Sequence, residues 1–307
     1  MTKNLKHLAV LAVLAFGAKA QDVFLTNPNQ SLIYLNPSFA GSNGSLRGQL
    51  NYRNENPNLS GRYVTYYAAV DGYIKPMRAG LALSVMTDDQ NHGLLKTQTA
   101  SLTYARPIKL GNQGLELIPS IQISYLQLRL DISAISFDGV INSRYNTRWN
   151  NGTAIPGPIK RNVDATTGLM IRNKNFNAGV VASHITQPDI GLLGTSRLPL
   201  KLTAHASHNF AMSVWTIVNI SGLVNYQNGY WFGQGAITLT NAQRFMLGLG
   251  YRSTVTPFVF MGYKAKRVSL QLCYGRNYSV IAGSPFAELG LTYTVTKNHQ
   301  TQNAEDR

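Results

Sequence analysis

Charge is scarce in this sequence: Asp, Glu, Lys and Arg make up only 13% of its 307 residues, about half the share usual in soluble proteins. A chain that shows most of its surface to water carries more. Acids are the scarcer sign, 13 against 28 Lys and Arg, for a formal charge of +15. Such a balance suits nucleic acid, but the cations are scattered rather than clustered, and the secretory leader described below makes DNA and RNA poor partners. They read instead as lumen and rim charges facing water or lipid phosphate. Cysteine occurs once, at Cys273, so no intrachain disulfide or cysteine-rich metal site can form. Nothing after Gln21 approaches the roughly 18 consecutive apolar residues of a membrane helix. If this chain sits in a membrane, it does so as a closed barrel.

Signatures of catalysis are missing too. There is no Gly-x-Ser-x-Gly elbow, no Walker lysine loop and no dinucleotide glycine fingerprint. His205 and His208 are three apart, which on a strand puts them on opposite faces and makes a poor metal pair. Asp88, Asp89 and Asn91 lack the spaced oxygens and closing glutamate of a calcium loop and read as a solvated outer turn. A Ser/His/acid triad assembled across strands needs no local signature, yet no residue here nominates one. The expectation is a protein that is not an enzyme and has no cofactor and no metal.

What is present begins with a basic start at Lys3 and Lys6, an apolar run from Leu8 to Phe16, and the small-residue triplet Ala18-Lys19-Ala20. These are the three parts of a secretory signal peptide, so residues 1–20 are expected to be cleaved and the rest to leave the cytoplasm. From about residue 45 to 295, apolar and polar residues alternate in runs separated by Gly, Asn or Pro, which is strand periodicity. Lys201, Thr203, His205 and Ser207 share one face, with Leu200, Leu202, Ala204 and Ala206 on the other. Val268, Leu270, Leu272 and Tyr274 alternate with Ser269, Gln271 and Cys273, and Leu289, Leu291 and Tyr293 with Glu288, Gly290 and Thr292. Each run can give one face to lipid and one to a wet interior.

Strands are expected near 45–53, 62–72, 78–87, 94–106, 114–126, 163–172, 175–184, 199–210, 213–225, 229–240, 243–252, 254–264, 267–276 and 285–295. The fold class is all-β, a transmembrane antiparallel β-barrel of about 14 strands, an even number as single-chain bacterial barrels require. Connection lengths fit a periplasmic N-terminus: tight joins at 173–174, 211–212, 241–242 and 265–266 fall on one side, and long ones at 54–61, 88–93, 127–162, 185–198 and 277–284 on the other. Two short joins on the long side, at 226–228 and 253, run against the pattern. Tyr52, Tyr66, Tyr104, Tyr226, Tyr230, Tyr251, Tyr263, Tyr274 and Trp231 lie near strand ends, where aromatic girdles sit, although aromatics favour strands anywhere. The segment 127–162 reads as one large external loop whose Arg144, Tyr145, Arg148 and Trp149 form either a contact surface or part of a lid without a partner.

Leu35-Asn36-Pro37-Ser38-Phe39-Ala40-Gly41 resembles the Leu-Asn-Pro-Ala-Phe-Ala-Gly motif of the PorP/SprF family. Asn51-Tyr52-Arg53-Asn54 and Pro57 follow at similar spacing, then Asp89-Gln90-Asn91 with Gly93-Leu94-Leu95-Lys96-Thr97, then His184-Ile185-Thr186-Gln187-Pro188, then Leu198 to His205. Gly283-Ser284 with Glu288 is similar to the family's last strand. Asn56 departs where the family usually has tryptophan, and Ala287 where a histidine commonly stands. The resemblance implies a non-enzymatic outer-membrane barrel of the Bacteroidetes type IX secretion and gliding machinery. Its expected partners are secretion components, secreted cargo or an adhesin, and outer-membrane lipid.

The expected organisation is 1–20 signal peptide, 21–44 a periplasmic leader or a plug, 45–296 barrel and 297–307 a polar periplasmic tail. Asn36-Pro37 favours an extended-to-turn geometry, and Gly41 with Gly44 permits a sharp turn into the first strand. The expected partner-binding residues are Asn36, Pro37, Phe39 and Gly41 of the leader, Arg53, and Arg144, Tyr145, Arg148 and Trp149 of the outer loop. The competing expectation is a passive porin or small-solute transporter, with an outer-membrane hydrolase behind it.

Overall fold

The computed structural model describes residues 22–27, 30–57, 61–111, 114–131, 157–192, 194–242, 244–278 and 284–295. The expected signal peptide, the 297–307 tail and Arg144, Tyr145, Arg148 and Trp149 lie outside the described residues. Among the described residues fifteen strands follow one another: β1 (Arg47–Glu55), β2 (Tyr63–Ile74), β3 (Ala79–Gln90), β4 (Leu95–Ala105), β5 (Ile108–Leu110), β6 (Leu115–Leu130), β7 (Ile159–Arg172) and β8 (Phe176–Ser183), then β9 (Lys201–Ala211), β10 (Thr216–Gln227), β11 (Tyr230–Asn241), β12 (Phe245–Arg252), β13 (Thr256–Lys264), β14 (Val268–Asn277) and β15 (Ser284–Thr294). β1 pairs antiparallel with both β2 and β15. β4 pairs directly with β6, leaving the three-residue β5 as a side branch on β6. Fourteen strands therefore close into a barrel, as the alternation predicts. Closure pairs each ladder amide without leaving an edge. Among the described residues no helix is long and apolar enough to cross a membrane.

The two faces of the wall separate as the alternation requires. On β12, Leu247, Leu249 and Tyr251 are exposed, while Gly248, Gly250 and Arg252 point inward. On β1, Leu50 is exposed while Gln49, Asn51 and Arg53 are buried. "Exposed" here means open to hydrocarbon. Around β12 to β15 the inner face is filled by Phe258, Phe260 and Phe286. Each ring covers a glycine across the ladder: Phe260 opposes Gly248, Phe258 opposes Gly250 and Gly275, and Phe286 opposes Gly275. A Cβ on Gly248 would lie 2.0 Å from the Phe260 ring, so the missing side chain is what lets the aromatic lie flat on the wall.

Aromatic side chains collect near both rims. Tyr52 and Tyr66 meet at 5.3 Å and Tyr226 and Trp231 at 4.6 Å near one end, and Phe245 and Tyr263 at 5.0 Å near the other. Such paired rings suit the headgroup levels of a bilayer.

Three expectations about connections change. β6 and β7 each run about four residues past their expected ends, to Leu130 and from Ile159, so the loop is shorter than 127–162. Alternation simply continues: Leu126 and Leu128 face inward and pack against Leu198, with Ile190 and Leu192 of the β8–β9 connection beside them. That connection is pinned by Asp189, which accepts from Lys160 Nζ (2.6 Å) and from the amides of Gly191 (3.0 Å) and Ser196 (2.9 Å). These bonds hold its carboxyl well below the usual range. Next, β3 reaches Gln90 and β4 begins at Leu95, which reduces the supposed long 88–93 connection to a turn. Asp88 is consequently no solvated loop acid but a buried strand residue, accepting from Thr65 Oγ1 (2.7 Å) and Gln90 Nε2 (2.9 Å). Lastly, the 106–114 connection carries β5, which its Pro107 and flanking polar residues did not advertise.

Leu249, 63% exposed on the outer face of β12, tests the lipid-facing assignment. Leu249→Arg should lower stability by about 2–4 kcal/mol if it lies near the bilayer midplane. Denaturant titration of the barrel in vesicles measures this, and a loss below about 0.5 kcal/mol would place the position in water.

Candidate functional site

The candidate functional region is the lumen, because the leader before β1 runs through it. One polar station after another holds the leader, from the long-loop mouth down to the tight-turn end. At the mouth, Asp22 meets His184 Nε2 (2.8 Å) and Lys201 Nζ (3.1 Å), and His184 Nδ1 meets Asp164 (2.6 Å). Burial alone would push the His184 imidazolium toward neutrality, but hydrogen bonds and charge from Asp164 and Asp22 outweigh it and raise the group to about 9. Asp22 shows the converse: burial opposes its charge, yet Lys201 and His184 hold it well below the ordinary carboxylate range.

Deeper in, Glu288 of β15 receives the amides of Thr26 (2.7 Å) and Asn27 (3.1 Å) and pairs with Arg53. Thr26 Oγ1 also accepts from Arg53 (2.6 Å) and Arg252 (2.7 Å), and Gln234 Nε2 donates to Thr26 O (2.8 Å). Arg53 lies over the Phe286 ring at 4.4 Å and Arg252 over Phe24 at 4.2 Å. Two guanidiniums in a closed interior need such partners, since a buried charge without them costs several kcal/mol.

A single helical turn, Leu32–Leu35, leads into a 3-10 turn, Pro37–Phe39, at mid-lumen. Asn36 starts the second turn by accepting the Ser38 amide on Oδ1 (2.9 Å), and Pro37 fits the first turn position, where no amide donor is needed. With Oδ1 engaged, Asn36 Nδ2 faces His205 Nε2 at 3.0 Å, which makes that ring nitrogen the acceptor. Ser38 Oγ meets Ser120 Oγ at 2.9 Å. At the tight-turn end the Gly41 amide donates to Asp71 Oδ2 (2.8 Å), which Arg47 grips with two nitrogens (2.8 and 3.0 Å).

Glycines on the wall receive the leader. A Cβ on Gly80 would stand 1.9 Å from Ala40 O, and Gly41, at φ 68°, comes within 2.5 Å of Gly80 Cα by the same construction. Gly168 and Gly179 make room for the Asn36 amide, and Gly290 for Gln30. Beside the leader, Leu32, Leu35, Phe39, His205, Asn219 and Leu223 border a cavity of about 190 Å³. Among the described residues no group of histidines, cysteines and acids could hold a metal.

Asn36, Pro37, Phe39, Gly41 and Arg53 thus all lie buried inside the barrel and engaged with the wall or the leader, but Arg53 sits at the Glu288 station, apart from the other four. Any partner touching the first four must meet a leader drawn out of its seat. Sequence reasoning missed the wall side of this contact: Asp71, His205, Gln234, Arg252 and the glycines. Asp71 did carry a signal, an acid at an inward position of a membrane strand.

The profile of the family described as Type IX secretion system membrane protein PorP/SprF matches residues 17–297. No curated protein sequence matches. Among solved structures, the toluene transporter TbuX of Ralstonia pickettii superposes with a TM-score of 0.52 at 11% identity, over 86% of this chain and 93% of that one. The CymD monoaromatic hydrocarbon channel gives 0.55 at 14% identity, over 90% and 96%. At such identities the likeness concerns fold alone.

Two outcomes follow for the leader. Gly80→Val should leave a heat-modifiable barrel but unseat residues 38–44, and a nitroxide on Asn43→Cys, in a Cys273→Ser background, should pass from slow to fast motion. An unchanged spectrum would mean that Ala40 and Gly41 do not rest on Gly80. Because His184 titrates above its unfolded value of about 6.5, its contribution is complete below that pH and is lost as pH climbs through about 9. A nitroxide at Val23→Cys should accordingly loosen between pH 8 and 10, and His184→Gln should abolish that transition.

Proposed function

Since the chain belongs to the PorP/SprF family of type IX secretion system membrane proteins, we propose that it is a non-enzymatic barrel supporting export or surface attachment of large secreted cargo by binding partners. The cargo does not pass through its lumen. The observation that carries this reading is the leader, whose described residues between Asp22 and Gly41 occupy the interior and bond to opposite walls. A barrel filled in this way is a platform rather than a pipe for folded protein. On this reading residues 1–20 are removed on export, the leader around Asn36, Pro37, Phe39 and Gly41 couples to components of the secretion machinery, and Arg144, Tyr145, Arg148 and Trp149 meet cargo or an adhesin outside.

Small-solute transport is the second reading, favoured by the cavity of about 190 Å³ between the helical turn and β8–β11. The names of the structural neighbours, a toluene transporter and a monoaromatic hydrocarbon channel, point the same way for those proteins.

One pair of measurements separates the two. In planar bilayers the full-length barrel should be closed, and a variant lacking residues 22–44 should conduct. Deleting the whole protein from its host should abolish secretion or display of at least one type IX cargo. Steady conductance of the intact barrel together with normal secretion in the deletion strain would overturn the platform reading in favour of transport.

A further inference from the structure

Among the described residues cations stand at both ends of the barrel, but most acids collect at one end, which leaves the other rim with cations in excess. The β2–β3 turn carries Lys75 and Arg78, and the β4–β6 connection carries Arg106 and Lys109, all exposed. Lys174 follows on the β7–β8 turn, Arg244 on β11–β12, and Lys264, Lys266 and Arg267 on β13–β14, again all exposed. Among the described residues the acids at this end are Asp71, buried against Arg47, and Glu116, paired with Arg172 at 2.8 Å. The opposite end is mixed: Glu55, Asp89, Asp131 and Asp189 are interspersed among cations that include Arg62, Arg129, Lys160, Arg161, Arg197 and Arg276. The cationic rim is the tight-turn end, which in bacterial barrels faces the periplasm.

We propose that this rim is a docking belt for the anionic headgroups of glycerophospholipids in the periplasmic leaflet. Position supports a lipid rather than an acidic protein. Cations occur on five of the rim's strand connections, the β9–β10 turn being without one, and so are spread widely around the circumference, whereas a protein partner would need one sector. Apolar and aromatic side chains alternate with them: Met77 stands between Pro76 and Arg78, Phe245 follows Arg244, and Tyr263 precedes Lys264. Trp215 is 67% exposed and Phe245 62%. The turns are also stitched together, with Ala242 N donating to Trp215 O (2.7 Å) and Lys264 N to Arg244 O (2.7 Å). One continuous strip thus presents rings at the acyl boundary and cations at the phosphate level, the pattern of a membrane-interface anchor. The inference stands whether the barrel is a platform or a transporter.

Trp215 is a built-in reporter. Among the three tryptophans, Trp149 and Trp231 are replaced by Phe, and the full-length barrel is reconstituted in vesicles with brominated phosphatidylglycerol or brominated phosphatidylcholine. Quenching of Trp215 should favour the anionic lipid about fivefold in relative affinity, the factor expected from one cation beside an anionic surface. The preference should fall to near parity in the Arg244→Gln, Lys264→Gln, Lys266→Gln, Arg267→Gln variant, with heat-modifiable migration confirming a closed barrel. It should also shrink in 1 M salt, which needs no variant, as the screening length drops to about 3 Å. The matching barrel that keeps only Trp231, at the other end, should show little preference. Equal quenching of Trp215 by both lipids, a preference that survives both neutralisation and salt, or capture of an acidic protein by the belt without any lipid preference would each overturn the proposal.

Discussion

A backbone amide in hydrocarbon has no water to turn to, and that constraint shapes the whole molecule. Strands can meet it only by pairing until no edge is left. Closure then fixes the alternation of faces, and with fourteen strands it also fixes a lumen wider than wall side chains can fill. The chain resolves the excess in two ways. Along β12 to β15, Phe258, Phe260 and Phe286 fold flat over wall glycines. Along the rest, the leader enters and its own polar groups are met by Glu288, Asp71, His205 and Asp164.

The wall was legible because its code is local. A period of two needs only neighbouring residues, so Gln271 and Cys273 could be assigned inward and Leu270 and Leu272 outward without knowing what any of them touch. Failures came where alternation outlasts the membrane. Leu126 and Leu128 keep the strand period into the outer space, where they serve a packed loop rather than a lumen, and period alone cannot report that change of surroundings. Asp88 misled for the opposite reason: two adjacent acids beside Asn91 read as a turn, whereas its inward register gives it Thr65 as a partner.

The site was only half legible. Asn36, Pro37 and Gly41 stood out through turn chemistry and family resemblance, and both Gly41 and Gly44 do take left-handed φ values. Their counterparts could not be read, since Thr26 and Glu288 are 262 residues apart and no local pattern links an amide to so distant a carboxylate. Wall glycines are harder still. In a strand, Gly168 or Gly179 reads as a weak link, and only the approach of the Asn36 side chain turns the missing Cβ into a socket.

How the leader is held decides how it can be released. Each station sets a charged or amide group of the leader against a buried partner: Asp22 against His184 and Lys201, the Thr26 and Asn27 amides against Glu288, the Gly41 amide against Asp71. Removing one side of such a pair strands the other in a confined interior, which is costly. The wall, however, supplies some second partners of its own. With the leader gone, Glu288 keeps Arg53 and Asp71 keeps Arg47, because both pairs join neighbouring strands. His184 likewise keeps Asp164. Removing the leader would therefore leave the principal wall acids paired, and the cost would fall on the leader's amides and Asp22 and, on the wall, on Lys201 and Arg252, which lose Asp22 and Thr26.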